Sequence, residues 1–387
     1  MKVAFLRPYG VPRWEIAQIK FLNDLGVEAK FISPVIEQSS DESIVDKGYS
    51  LRSFHQFNTM LARGKLAGAV DFLFNYRTIE YASLYLNAKS LLKKYDVVHC
   101  VDGIFFPVEQ ALRFAKLPVI TFWDNIPFNP ILVSKKPTNK LFCEVLKKIK
   151  LFFPVSEESA ETLRIYGVGE ARIKKVHPGI DITYFKRART KEFSRNINPD
   201  NKILILSVGR LTFEKGITFI LRALHILKKE NLDFKYVHIG SGREYFVNYL
   251  KELISKLDLS GVVEFIGKVE YFELPSYYSQ ATIFVLPSIP MPTWEEQMGF
   301  ATIEAMACGV VPIVSENSTM REVVPDGCGF RVPAGDFLAL ANSLRSIILG
   351  QVKIHEMADR AVIHVRDNYN ALRTATTYLE SYTQLIE

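Results

Sequence analysis

Residues 296–307 read EQMGFATIEAMA, a glycine-containing loop opening into a helical run, with two carboxylates, Glu296 and Glu304, eight positions apart. Backbone N–H groups at a helix start favour an anion, so phosphate oxygens would be welcome around Met298, Gly299, Phe300 and Ala301. Glu304, about a turn into the helix, could accept hydrogen bonds from hydroxyl groups. Alone, such a pair is most simply a capped, solvated helix. A second cluster argues otherwise: Gly209, Arg210 and Leu211 follow an apolar run, and Lys215-Gly216 precede the next helical pattern. Arg210 can fork two hydrogen bonds to phosphate oxygens and Lys215 can add a point charge. Each charge-assisted contact contributes roughly 1.5–3 kcal/mol. The two clusters together predict a site for a phosphorylated, hydroxyl-rich ligand.

Short β-branched runs alternating with helical patterns must position these residues, and that alternation predicts parallel sheets built from βαβ units. Strands are expected at 3–7, 28–32, 96–100, 118–122 and 151–155, then at 202–208, 235–239, 262–266, 282–286 and 311–314. Between them lie helical patterns such as 15–25, 109–114, 217–229, and a helix from Ser156, its cap, to Gly167. A polar stretch at 186–201, with Pro199-Asp200-Asn201 as a turn signal, divides the rhythm in two. The expected organisation is therefore a first domain at 1–185, a linker at 186–201, a second domain at 202–365 and a C-terminal helix at 366–387, for which a return to the first domain is one packing. A length of 387 residues suits two cores better than one. Two doubly wound α/β domains of this kind are expected to bind ligands beyond the C-terminal ends of their strands, facing a cleft.

Gly209-Arg210-Leu211 with Lys215-Gly216, and Glu296 with Glu304 followed by Ala-Met-Ala-Cys-Gly, resemble the marks of the retaining nucleotide-sugar glycosyltransferases of family four, group 1, in the two-Rossmann-domain (GT-B) architecture. The likeness extends through Val155-Ser156-Glu157, through His177-Pro178-Gly179-Ile180-Asp181, and through Glu322 and Gly327, so it spans most of the chain. It implies that Arg210 and Lys215 hold the donor diphosphate, that Glu304 binds the ribose, and that Glu296 faces the transferred sugar. The backbone of Met298, Gly299 and Phe300 would line the pocket, Gly10 would approach the phosphate from the first domain, and Lys268 and Val269 would lie near the base. Gly240, in Gly240-Ser241-Gly242, is a weaker donor contact that also reads as a turn. Family members often carry a His-x-His-like pair where this chain has His99-Cys100-Val101-Asp102. His99 then falls within a strand as a structural residue, and Asp102 at the strand end is the better candidate to touch acceptor or sugar. Met298 stands where many members have phenylalanine, and His177 is read as structural.

The resemblance implies no cofactor beyond the nucleotide diphosphate sugar itself as co-substrate, and no metal: an Asp-x-Asp triplet does not occur, and protein cations would stabilise the leaving diphosphate instead. UDP-, GDP- and ADP-sugars are all compatible. Transfer of a hexose-type sugar to a sugar, glycan or lipid-linked acceptor is the expected reaction. A nucleotide-sugar epimerase of similar fold and a catalytically silent nucleotide-sugar-binding protein are the alternatives. Product sugars formed without acceptor would mark the first, and donor affinity without turnover the second.

Four cysteines without a Cys-x-x-Cys pair suggest reduced thiols in a cytoplasmic protein. Arg7 interrupts the apolar N-terminus too early for a signal peptide, and no uncharged apolar run of about 18 residues offers a spanning helix. The net charge of +6 is uneven, with 15 basic against 7 acidic side chains in residues 51–150, interleaved with aromatics such as Phe72, Phe74, Tyr76, Tyr81 and Tyr85. Such a surface can meet an anionic membrane face, so peripheral contact with a lipid-linked acceptor is one expectation and a plain basic face the other. Nucleic acid is not an expected partner.

Overall fold

The computed structural model describes residues 1–7, 13–33, 45–47, 85, 87–101, 106–128, 136–187 and 196–387. Gly10, Asp102 and most of the basic, aromatic stretch at 52–95 lie outside these residues. The chain divides into two compact units, Met1–Gly179 with Ala371–Glu387, and Ile180–Asn370.

The first unit is a six-stranded sheet of β1 (Lys2–Leu6), β2 (Glu28–Ser33), β3 (Val45–Lys47), β4 (Val97–Cys100), β5 (Leu117–Phe122) and β6 (Leu151–Pro154), in the order β3-β2-β1-β4-β5-β6. The second holds β7 (Ile203–Val208), β8 (Phe234–Ile239), β9 (Val263–Gly267), β10 (Ile283–Leu286), β11 (Val311–Ser315) and β12 (Phe330–Val332), in the order β12-β11-β10-β7-β8-β9. Neighbouring strands pair in parallel throughout. Read in each unit's own strand sequence, both orders are the 3-2-1-4-5-6 of the doubly wound fold. The expected fold class is therefore what the chain adopts.

Strand alternation sorts the first core into two layers. Ala4, Leu6, Val98, Cys100 and Ile120 pack on one face with Leu91, Val108 and Val145. Val3, Phe5, Val97 and Val119 face the other way, against Ile19 and Leu22 of the helix Arg13–Asp24 and Tyr378 and Tyr382 of the helix Ala371–Ile386. That last helix thus completes the core of the first unit. In the second unit the near-continuous apolar strands β7, β10 and β11 are covered by helices, as a parallel sheet requires, with Leu221 and Leu224 of the helix Ile217–Lys229 packed over Ile205, Ile283 and Ile313.

Two boundaries differ from those read in the sequence. Residues 180–187 belong with the second unit, because Phe185 packs on Tyr271 and Tyr278 and Arg187 pairs with Asp359 at 3.0 Å. Residues 366–370 close the helix Ile354–Asn368 and its following turn, also in the second unit. Cys100, Cys308 and Cys328 are free and buried, and Cys143 is exposed.

His99 is fully buried in β4, stacked between Phe5 and Phe153, with Nδ1 2.5 Å from the Tyr382 hydroxyl and Nε2 2.7 Å from Thr121 Oγ1. Burial pushes its pKa down to about 3. A folded-state value below the unfolded one makes this a contribution present above about pH 6.5 and lost as pH falls toward 3. His99→Leu is expected to lower stability by about 2–3 kcal/mol at pH 7 and to flatten the loss between pH 6.5 and 4. Urea denaturation at several pH values measures both; an unchanged acid slope would remove His99 as its source.

Candidate active site

In the second sheet the strand order reverses between β7 and β10, which is where a doubly wound domain opens a crevice at its C-terminal edge. Two loops emerge there, 209–216 after β7 and 287–299 after β10.

The first loop is held by the end of β8. Gly209 N donates to Ile239 O at 2.9 Å and Leu211 N to Ser241 O at 2.9 Å. Gly240 lies so near that a Cβ there would sit 1.7 Å from Gly209 O, so the close approach of the two backbones requires glycine here. The buried His238 donates from Nε2 to the same Gly209 carbonyl at 3.0 Å, and burial lowers its pKa to about 4, so it is neutral in this role. Arg210 then projects outward, its side chain 69% exposed and 3.5 Å from Glu214, whose carboxylate also accepts from Thr212 Oγ1 at 2.7 Å. Lys215 follows, and Gly216 turns the chain into the next helix with φ +70°.

The second loop brings Glu296 to Lys215. Lys215 Nζ lies 2.6 Å from Glu296 Oε2, and Ser288 Oγ donates to the same oxygen at 2.8 Å. Both charged side chains are largely buried, 14% and 11% exposed. Asn317 Nδ2 donates to Glu296 O at 3.3 Å while its Oδ1 caps the helix Ser318–Val323 through Met320 N. The loop ends at Gly299, in the left-handed region at φ +54°, which caps the helix Phe300–Ala307. Met298 is buried, and Phe300 and Ala301 are half-buried in the helix start. Thr302 Oγ1, in the first turn, is buried without a hydrogen-bond partner, 3.3 Å from the place a Cβ on Gly299 would take. A helix N-terminus, a paired cation and a carboxylate thus stand side by side.

Glu304, within the helix Phe300–Ala307, has partners of its own. It is buried, and its carboxylate accepts from the Tyr278 hydroxyl at 2.9 Å and from Tyr271. Burial raises its pKa to about 7, the two tyrosines pulling the other way. A raised acid pKa means stability is fully present below about pH 4.5 and is lost as pH rises through 7. Glu304→Gln keeps a tyrosine acceptor without the charge. It is expected to match the wild type at pH 4.5 and to exceed it by roughly 2–3 kcal/mol at pH 8. Thermal melts across that range would refute this by showing a constant offset. Exposed Lys268 and half-buried Val269 lie after β9, at the sheet edge beyond β8.

Sequence reading missed Ser288, Trp294, Asn317, Tyr271 and Tyr278. Ser288 had a usable signal, two residues past the end of β10. The tyrosines had none, since only the packing of Tyr278 on the helix Phe300–Ala307 reveals their acceptor.

Residues 10–184 match the family Glycosyltransferase Family 4, and residues 188–363 match Glycosyl transferases group 1. A D-inositol 3-phosphate glycosyltransferase of Catenulispora acidiphila is 27% identical over 248 residues, 62% of this chain and 56% of that protein. The amylovoran biosynthesis glycosyltransferase AmsK of Erwinia amylovora is 29% identical over 238 residues, 61% of this chain and 56% of that one. The matches thus span a little over half the length of these relatives. Among solved structures, HepE of Anabaena superposes with a TM-score of 0.76 at 17% identity, covering 99% of this chain and 100% of that one. Sucrose-phosphate synthase of Thermosynechococcus elongatus gives 0.75 at 17%, covering 100% and 99%. The two matched families between them take in nearly the whole sequence, and the chain belongs to the family 4, group 1 glycosyltransferases of GT-B fold.

Proposed function

We propose that the protein is a retaining glycosyltransferase that moves a hexose-type sugar from a nucleotide diphosphate sugar to a sugar, glycan or lipid-linked acceptor. The observation that carries this reading is the Lys215–Glu296 pair at 2.6 Å, set where the strand order reverses and beside a glycine-capped helix start. The ammonium and the helix N-terminus suit a diphosphate, and a carboxylate suits sugar hydroxyls. Arg210, exposed on the same loop, adds a second cation. As the donor bond breaks, negative charge grows on the leaving diphosphate, and these groups stabilise it without an added cofactor or metal. Glu304 serves the ribose in this reading, and the backbone around Met298, Gly299, Phe300 and Ala301 lines the sugar pocket. Lys268 and Val269 serve the base and Gly240 supports the Gly209 turn in this reading, while Gly10 and Asp102, outside the described residues, keep the roles that the family resemblance implies for them.

UDP-sugars are the donors to try first, since HepE of Anabaena has been crystallised with UDP and with UDP-glucose. A lipid-linked acceptor would bring the basic stretch of the first unit to an anionic membrane; among the described residues no helix is long and apolar enough to cross one. The test is calorimetric titration of UDP-, GDP- and ADP-sugars, with donor hydrolysis and the product anomer followed by NMR. One donor bound tightly, with its anomeric configuration kept in the product, supports the proposal. Affinity for none of the three, or inverted product, overturns it.

A further inference from the structure

Lys215 Nζ has a second close neighbour besides Glu296: it lies 4.8 Å from the centre of the Trp294 ring. A lysine ammonium rides on a flexible four-carbon stem, and an ion pair alone restrains it from one direction only. The indole face restrains it from another, and tryptophan is the strongest such partner among the aromatic side chains.

Trp294 is itself held in place. Met291 N donates to Trp294 O at 2.7 Å and Trp294 N to Met291 O at 3.2 Å, closing a turn over Pro292-Thr293. The near end of the same loop is fastened to the lysine's own loop, Ile289 N donating to Glu214 O at 2.7 Å. The segment from Ser288 to Glu296 is therefore a pinned turn that delivers both an indole and a carboxylate to the ammonium.

We infer that Trp294 is a positioning residue of the donor site, holding the Lys215 ammonium where the diphosphate meets it. The inference rests on the preceding reading of Lys215 as a diphosphate ligand. The indole meets the ammonium through its ring face, so this contact does not use the Glu296 carboxylate. When a diphosphate draws the ammonium from Glu296, the ring contact persists, and the freed carboxylate oxygen becomes available to a sugar hydroxyl.

The experiment titrates UDP, GDP and ADP, with uridine, guanosine and adenosine as phosphate-free controls, into wild type, Lys215→Ala, Trp294→Leu, Trp294→Phe and the Lys215→Ala/Trp294→Leu pair. For the diphosphate that the wild type binds, Trp294→Leu is expected to weaken affinity about 5–20-fold and Trp294→Phe about 2–3-fold. Nucleoside affinity and melting temperature should stay at wild-type values. Adding Trp294→Leu to Lys215→Ala should cost nothing further, because the indole acts through the lysine. A merely structural tryptophan would lower the melting temperature and weaken nucleoside and diphosphate alike in both backgrounds, which overturns the inference. Wild-type affinity in Trp294→Leu, with loss in Lys215→Ala, overturns it while leaving the donor reading intact. If the wild type binds no diphosphate, both fall.

Discussion

Lys215→Met should weaken nucleotide-sugar affinity at least tenfold and destabilise the protein by about 2–4 kcal/mol, and adding Glu296→Gln should restore the stability but not the affinity. The single change leaves the Glu296 carboxylate in a site where its side chain is 11% exposed, with Ser288 Oγ as its remaining close donor. An uncompensated buried charge is costly, whereas two neutral groups of similar shape are not. Recovery in the double variant therefore separates two roles of one contact. Folding needs only that Glu296 not be left charged and alone; donor binding needs the ammonium itself. Urea denaturation and calorimetry on the three proteins measure this. A double variant as unstable as Lys215→Met, or one that binds donor like the wild type, would contradict the account.

Gly216→Ala carries an effect of similar size for a different reason. At φ +70° an alanine is already strained by about 1–2 kcal/mol. Its Cβ would also fall 2.1 Å from Pro287 O and 2.9 Å from Pro287 C, backbone atoms of the loop after β10. Relief means separating the two loops that bring Lys215 to Glu296. More than about 3 kcal/mol of stability should be lost, together with donor affinity to at least the extent seen in Lys215→Met. Gly26→Ala is the control: its φ is +84°, yet a Cβ there meets nothing within 4 Å, so the cost should stay near the conformational term of about 1 kcal/mol. Equal losses for the two alanines would show that the contact with Pro287 does not matter.

Local patterns revealed much of this molecule. The run from Ile203 to Val208 reads as a strand buried on both faces, the Gly-Arg-Leu after it marks a loop, and the alternation of strands and helices points to two doubly wound sheets. Arg210 and Lys215 could be singled out as cations in the loop after a buried strand, and Glu296 and Gly299 as a carboxylate and a glycine at a loop-to-helix junction, in a spacing that resembles the family's. What the sequence could not convey is which side chains close on them. Trp294 reaches Lys215 across more than seventy positions, by way of a strand pairing that no periodicity records, and Ser288 closes on the Glu296 carboxylate from the foot of the same loop. Glu304 shows the same limit from the other side: its place on the helix suggests a hydroxyl-binding carboxylate, but its pKa is set by burial against tyrosines at 271 and 278. His99 was readable as a strand residue, whereas its partner Tyr382 lies 283 positions away on the helix that returns to the first unit.

That return has a bearing on how the chain is made. Tyr378 and Tyr382 fill the layer beside Phe5, His99 and Phe153, so the first sheet to leave the ribosome cannot close its core until residues 371–382 have followed. The second unit, contiguous in sequence, can fold while the first still waits. A nascent chain stalled before residue 371 would hold a finished second unit joined to an open first one, with apolar surface exposed to chaperones, and release of the last helix would be the event that seals it.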